Sequence, residues 1–189
     1  KKEIINNNGD LILTEGSQVT WDIQLENTDD CSFIIDNKII EQSTRDIFQI
    51  KRTFLKKTNY LITSSNANNL TDSLAYIINV IPDQFPKIDL TPSYDTINNR
   101  HLFSGIIEDD YMLNKLELIC AYTKNDSAIN TIEEIIIQRK SLEQFFHATN
   151  FEELNIDAGG ELTYYFRVWD NDGVNGSKFT NSKTFTYKE

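Results

Sequence analysis

Alternation of apolar and polar residues is the feature that most constrains this chain. In "SQVTWDIQLEN" Val19, Trp21, Ile23 and Leu25 fall on one face, and Thr20, Asp22, Gln24 and Glu26 on the other. That is the period-two signature of a strand with one buried face. "DSLAYIINVIP" alternates in the same way through Leu74, Tyr76, Ile78 and Val80. Between them, "SFIIDNKII" divides at Asp36-Asn37 into two short apolar runs, a hairpin pattern, and "RDIFQIKRTFL" and "NYLITSSN" supply further short strands. Such segments recur about every dozen residues with polar turns between them, the spacing of an all-β sandwich. No segment before residue 140 carries a sustained helical stripe. Trp21, in phase with Val19 and Ile23, reads as the core tryptophan of the first sandwich.

"VIPDQFPKIDL" interrupts this pattern. Pro82 and Pro86 lack a ladder donor and push the residues before them toward extended geometry. They predict a short, stiff hinge with the domain boundary near Asp83, giving one domain over 1–82 and another over 83–189. In the second half "HLFSGIIEDD", "NKLELICAY" and "IEEIIIQR" read as strands. "SLEQFF" and "NFEELNI" read as single helical turns, because Ser141 precedes Gln144, and Asn150 precedes Glu153, at capping-box spacing. Asp157-Ala158-Gly159-Gly160 marks a turn. The clearest strand is "ELTYYFRVWDNDG", with Leu162, Tyr164, Phe166 and Val168 facing inward and Thr163, Tyr165, Arg167 and Trp169 outward. "KFTNSKTFTYK" reads as the final strand, through Phe185 and Tyr187. Each buried Phe or Tyr contributes roughly 2–3 kcal/mol. A hydrophobic content of 39% therefore supports two cores. The expected fold class is all-β, with two tandem Ig-like (immunoglobulin or fibronectin-type) β-sandwich domains.

Charge narrows the partners. A formal net charge of −11 leaves no basic stripe to neutralise phosphates, which argues against nucleic acid and against docking on an anionic membrane. No apolar run approaches the ~20 residues needed to span a bilayer, so direct membrane insertion by this chain is not expected. The opening "KKEIINNNGD" has neither an initiator Met nor a signal-peptide pattern, and reads as the start of a piece of a longer protein. Cys31 and Cys120 fall in different predicted domains, each expected to be a small buried apolar group.

The stretches "PDQFPKIDL", "FSGIIEDDYMLNKLELICAY" and "GGELTYYFRVWDNDGVNGSKFTNSKTFTY" resemble a Bacteroidetes family of unknown function. The matching motifs are Gly105-Ile106-Ile107-Glu108-Asp109-Asp110-Tyr111 and the block from Tyr164 to Lys178, within residues 83–189. Met112 stands where the family usually has a small residue. Members are large proteins with transmembrane helices near the N-terminus, then Ig-like modules and long helical segments. The resemblance implies a membrane-anchored protein whose modules lie in the periplasm, and it implies no activity.

Two groups of residues are candidate sites. If "HLFSGIIED", "KLELICAY" and "ELTYYFRVWD" are strands B, C and F of a sandwich, their B–C and F–G loops emerge at one end. Glu108, Asp109 and Asp110 then lie near Asp170 and Asp172, and oxygen ligands of this kind suit calcium. The loop is not an EF-hand, because Gly173 and the later residues miss the required positions. The competing reading makes Asp170-Asn171-Asp172-Gly173 a hairpin turn whose Asx side chains satisfy local amides, with Lys178 and Arg167 neutralising the acids. That reading is preferred. The second group is the outward row Tyr165, Arg167 and Trp169, a stacking platform for a sugar or peptide, or else a row covered by the neighbouring domain or one whose Trp169 turns inward at the strand end.

His101 and His147 have no partner at metal-ligand spacing, and no nucleophile elbow, phosphate loop or dinucleotide fingerprint occurs. Adjacent carboxylates such as Glu133-Glu134 point to opposite faces of a strand. No catalysis and no cofactor are expected, calcium excepted. The sequons at Asn69, Asn125 and Asn175 carry no weight in an asparagine-rich chain. The reading is a non-catalytic spacer and interaction module that contacts a protein partner or neighbouring domains through loop tips or by strand addition. The alternative is a calcium-dependent adhesion or carbohydrate-binding module.

Overall fold

The computed structural model describes residues 9–44, 46–68 and 70–188. The chain divides into two compact units, Lys1–Asp83 and Gln84–Glu189. Pro82 to Pro86 carries no strand.

The first unit is a sandwich of two sheets. Its strands are β1 (Leu11–Thr14), β2 (Ser17–Gln24), β3 (Asp30–Ile35), β4 (Lys38–Ser43), β5 (Ile47–Phe54), β6 (Thr58–Ser65) and β7 (Thr71–Ile81). One sheet has the order β1-β7-β6-β3-β4 and the other pairs β2 with β5. The β3–β4 hairpin turns at Asp36 and Asn37, whose φ angles of 46° and 63° suit the primed turn that a right-twisted hairpin prefers. Trp21 packs its ring against Phe33, Phe54 and Tyr60 at 4.9, 5.8 and 5.4 Å. Cys31 and Ile78 are fully buried beside them. Strand β1 has no counterpart among the sequence expectations. It pairs parallel with β7, from Leu11 opposite Ile78 to Thr14 opposite Ile81, so no local turn announces it.

The second unit comprises β8 (Lys87–Asp95), β9 (Arg100–Glu108), β10 (Leu113–Lys124), β11 (Ser127–Ile135), β12 (Leu142–Thr149), β13 (Glu161–Asp170), β14 (Phe179–Asn181) and β15 (Phe185–Lys188). One sheet runs β11-β10-β13 with β14 and β15 both on β13, and the other runs β12-β9-β8. Inward residues of both sheets, among them Phe103, Ile107, Leu116, Leu162, Phe166 and Val168, form one core. Strand β8 contains Pro92, which is tolerated because β8 lies at the sheet edge and pairs only with β9. Gly105 on β9 is required by packing, since a Cβ there would meet the Asp89 carbonyl oxygen at 2.5 Å and the Phe145 ring at 2.6 Å.

Two local expectations change, and a third is met by a 3-10 turn. "SLEQFF" is not a helical turn but the start of β12, which pairs with β9 from Leu142 opposite Glu108 to Thr149 opposite His101. Alternation defeats the capping pattern there: Glu143 and Phe145 are buried while Leu142 and Phe146 are exposed. Glu143, not Gln144, supplies the carboxylate, accepting from the amides of Gln138 and Lys140 at 2.6 and 2.5 Å. "NFEELNI" does turn, as a 3-10 helix over Phe151–Leu154 with the Asn150 side chain accepting from the Glu152 amide. "KFTNSKTFTYK" is two strands, split where Ser182 bonds Phe166 through both its amide and its hydroxyl.

Both cysteines are free and buried. Burial pushes the Cys120 thiol up to about 11, so it stays protonated and unreactive. Asn69, of the first sequon, lies outside the described residues. No helix among the described residues is long and apolar enough to cross a membrane.

Candidate functional site

The loop after β9 and the loop after β13 meet at one end of the second unit, as the strand order requires. The Asn171 amide donates to the Met112 carbonyl at 3.1 Å, tying one loop to the other. Asp109 folds its own loop: its Oδ2 accepts from the amides of Tyr111 and Met112, each at 3.0 Å. Asp170 does the same for the second loop, its Oδ1 accepting from the amides of Lys178 and Asp172 at 2.7 and 3.1 Å. Asp172 Oδ1 accepts from Val174 and Asn175. These are the Asx turns expected of "DNDG". The left-handed residue differs, however: Gly176, at φ 91°, takes the positive dihedral, and Gly173 does not.

Lys178 supplies the positive charge. Its ammonium lies 3.2 Å from Asp172 Oδ2 and 3.7 Å from Asp170 Oδ2. Arg167 does not take part, contrary to expectation; it is held on the outer face of the sheet. Asp170 is only 1% exposed. Its Oδ2 and Asp109 Oδ1 are buried without a hydrogen bond. Burial, with the charges of Asp110 and Asp170 beside it, pushes the Asp109 carboxyl up. Asp172 moves the other way, to about 2, chiefly through the Val174 amide with help from Asn175 and Lys178.

The five candidate carboxylates are therefore not one constellation. Asp109, Asp170 and Asp172 gather at the tip. Asp110 accepts from the Gln84 amide at 3.4 Å, and Glu108 pairs with Lys87 at 3.0 Å on the outer face of β9. Among the described residues, no group of three or more His, Cys, Asp or Glu is placed to hold a metal ion. A calcium ion at the tip would compete with the ammonium of Lys178 for Asp170 and Asp172.

Tyr165, Arg167 and Trp169 do lie together on the outer face of β13, but half-buried in a stack. The guanidinium of Arg167 sits 4.2 Å from the Phe179 ring and 5.7 Å from the rings of Tyr165 and Trp169. It also donates to Asn181 Oδ1 at 2.8 Å. Trp169 donates its indole N–H to Glu117 at 2.7 Å, and Lys115 both pairs with Glu117 at 2.7 Å and lies over the indole. Burial pushes the Glu117 carboxyl up, but the bonds from Lys115 and Trp169 outweigh it and hold the group below the usual range. Lys115, Glu117, Phe179 and Asn181 escaped the sequence reading. The only signal was same-face spacing on β10 and β14, and its meaning depends on register with β13.

The two histidines are packed among aromatic rings. His101 lies 4.7 Å from Phe151 and 4.9 Å from Tyr94, and burial lowers its pKa. His147 is lowered by burial too, against the pull of Glu133, whose carboxylate is 3.6 Å from Nε2.

The strand orders define two Ig- and fibronectin-type β-sandwich modules. No protein-family model matches the chain and no curated protein does. Among solved structures, fibronectin(III)-like modules of Clostridium thermocellum CbhA match 95% of this chain and 88% of theirs at 11% identity and a TM-score of 0.32. A putative carbohydrate binding protein from Bacteroides uniformis matches over 96% and 97% at 8% identity and a TM-score of 0.40. A bacterial ice-binding adhesin matches 94% of this chain and 59% of its own at 10% identity and a TM-score of 0.43. Likenesses this distant carry no functional argument.

Proposed function

We propose that the chain is a non-catalytic spacer and interaction segment from the periplasmic part of a larger membrane-anchored bacterial protein. The observation that supports the reading most is that each unit closes its own core while the tip and outer face of the second are tied up internally. Lys178 and the loop amides engage Asp170 and Asp172, and four neighbouring side chains engage Arg167 and Trp169. Side chains bound to one another in this way hold a shape; those of an active site are held ready for a substrate. What such a module offers a partner is sheet edges and the exposed faces of its strands.

Protease treatment of intact cells carrying the full-length protein, with an antibody against these residues, tests the setting. The signal is expected to vanish once the outer membrane is permeabilised and to survive before that. Survival until the inner membrane is lysed overturns the periplasmic reading. The buried oxygens of Asp109 and Asp170 without hydrogen bonds favour, as a second reading, a calcium-dependent adhesion or carbohydrate-binding module. A site filled at ~100 times its dissociation constant adds about 2.7 kcal/mol of stability. A clear rise of the melting midpoint in millimolar calcium, reversed by EDTA, selects that reading; an unchanged midpoint selects the spacer.

A further inference from the structure

The outer face of the β12-β9-β8 sheet takes no part in the tip or in the cation–aromatic stack. Alternation on β9 sends Phe103 and Ile107 into the core and Leu102, Ser104, Ile106 and Glu108 outward. The register sets these into rows. Leu142 and Lys87 flank Glu108, Gln144 and Asp89 flank Ile106, Phe146 and Thr91 flank Ser104, Ala148 and Ser93 flank Leu102, and Asp95 lies opposite Arg100. Phe146 is 78% exposed, with Leu142 at 60% and Ile106 at 45%. Beside Phe146 is a hollow of about 350 Å³ bordered by Ser93, Leu102, Ser104 and Ala148. A large apolar knob thus stands next to a depression on the same surface.

Charge on this face is concentrated at its two ends, with Asp89 beside Ile106 as the one charge between them among the described residues. Lys87 and Glu108 form an ion pair at one end, and Asp95 and Arg100 lie opposite each other at the other, eight residues along the strand. We propose that the face packs against the same face of a second copy of this chain, about a two-fold axis that lies in the interface, perpendicular to the strands, over Ser104. The rotation lays Ser104 near its own counterpart, Phe146 near Phe146 and Ile106 near Leu102. It also brings Glu108 toward Arg100 and Lys87 toward Asp95, so both ends of the face are complementary. This is the self-complementary pattern of an isologous dimer, in which each contact occurs twice. Sheets packed face to face at ~10 Å with strands within about 30° of alignment accommodate it. An axis through the same point but parallel to the strands would put Glu108 on Glu108 and Arg100 on Arg100, and like charges disfavour it. The apolar centre supplies the affinity and the charged ends choose the register.

Sedimentation equilibrium on the whole chain, from micromolar to millimolar concentration and at low and high salt, tests the pairing. The expected result is a monomer–dimer equilibrium that weakens as salt rises. Phe146→Glu should weaken it at least ~30-fold, the effect of removing a central anchor, while an unchanged melting midpoint shows that the fold is intact. Glu108→Arg and Arg100→Glu should each weaken it, and the two together should restore it. Ser104→Cys should be cross-linked between two copies by a short bis-maleimide, which spans the ~10 Å between facing sheets that a disulfide cannot, since both native cysteines are buried. A monomer at millimolar concentration overturns the proposal and leaves the face to a different protein. A dimer indifferent to Phe146→Glu, or a charge-reversal pair without rescue, overturns it as well.

Discussion

Replacing Lys178 by methionine removes the ammonium from the loop tip and keeps the apolar stem. The carboxylate of Asp170 is then left 1% exposed, and its Oδ2 loses an ion pair at 3.7 Å. Removing one partner of a buried pair costs ~3–5 kcal/mol in general. Here Oδ1 retains its amide donors from residues 172 and 178, and charge-assisted bonds of this kind soften the loss. We therefore expect a destabilisation of about 2–3 kcal/mol, confined to the second unit. For ~100 residues that lowers the midpoint by about 10–20 °C. Calorimetry resolves the two units as separate transitions if they unfold independently, so the first serves as an internal control. Adding Asp170→Asn to the methionine variant removes the stranded charge, keeps an acceptor for the two amides, and should recover at least half of the loss. A methionine variant within ~0.5 kcal/mol of the parent, or one that Asp170→Asn fails to rescue, refutes the view that Lys178 neutralises the tip.

The two other acids of the tip should respond to pH with opposite sign. Burial raises the Asp109 carboxyl, so the stability it contributes is present below its unfolded value and is lost as pH rises through the folded one. Asp109→Asn, which keeps an acceptor for Tyr111 and Met112, should raise the midpoint by a few degrees at pH 7 and by nothing at pH 3. Asp172, held at about 2, contributes stability above the unfolded value that is lost as pH falls from about 4 toward 2; a melting series on Asp172→Asn should lack that acid limb. His101 is lowered by burial, so its contribution is full above the unfolded value near 6.5 and declines as pH falls; His101→Phe should flatten the loss of stability between pH ~7 and ~5. Gly105→Ala forces the Asp89 carbonyl and the Phe145 ring apart and should cost ~1–3 kcal/mol in urea unfolding.

The elements legible in the sequence are those whose information is local. Strands β2, β7 and β13 were readable because alternation needs only the strand itself, and the β3–β4 turn because Asp36-Asn37 carries its own dihedral preference. Strand β1 was invisible because its partner β7 lies at the far end of the unit. Strand β12 was misread because Ser141 and Gln144 satisfy a helix-start pattern, whereas pairing with β9 is a long-range fact. The same division holds at the tip. Strand order alone placed Asp109 beside Asp170, and hairpin geometry placed Lys178 beside both Asp170 and Asp172. The outward direction of Tyr165, Arg167 and Trp169 was legible from alternation alone, but the identity of the side chains that pack on them was not. The residues that occupy them, Lys115, Glu117, Phe179 and Asn181, reach them only through the register of β10 and β14 on β13.

The parallel pairing of β1 with β7 bears on what happens when the first unit is pulled by its ends. The two strands run in the same direction and are matched over four residue pairs, so tension drags one lengthwise past the other. Their hydrogen bonds are loaded in shear and must yield together, where an antiparallel hairpin would unzip one rung at a time. In the second unit the first strand, β8, and the last, β15, belong to different sheets. With no such clamp between them, that unit should be the first to give way under load.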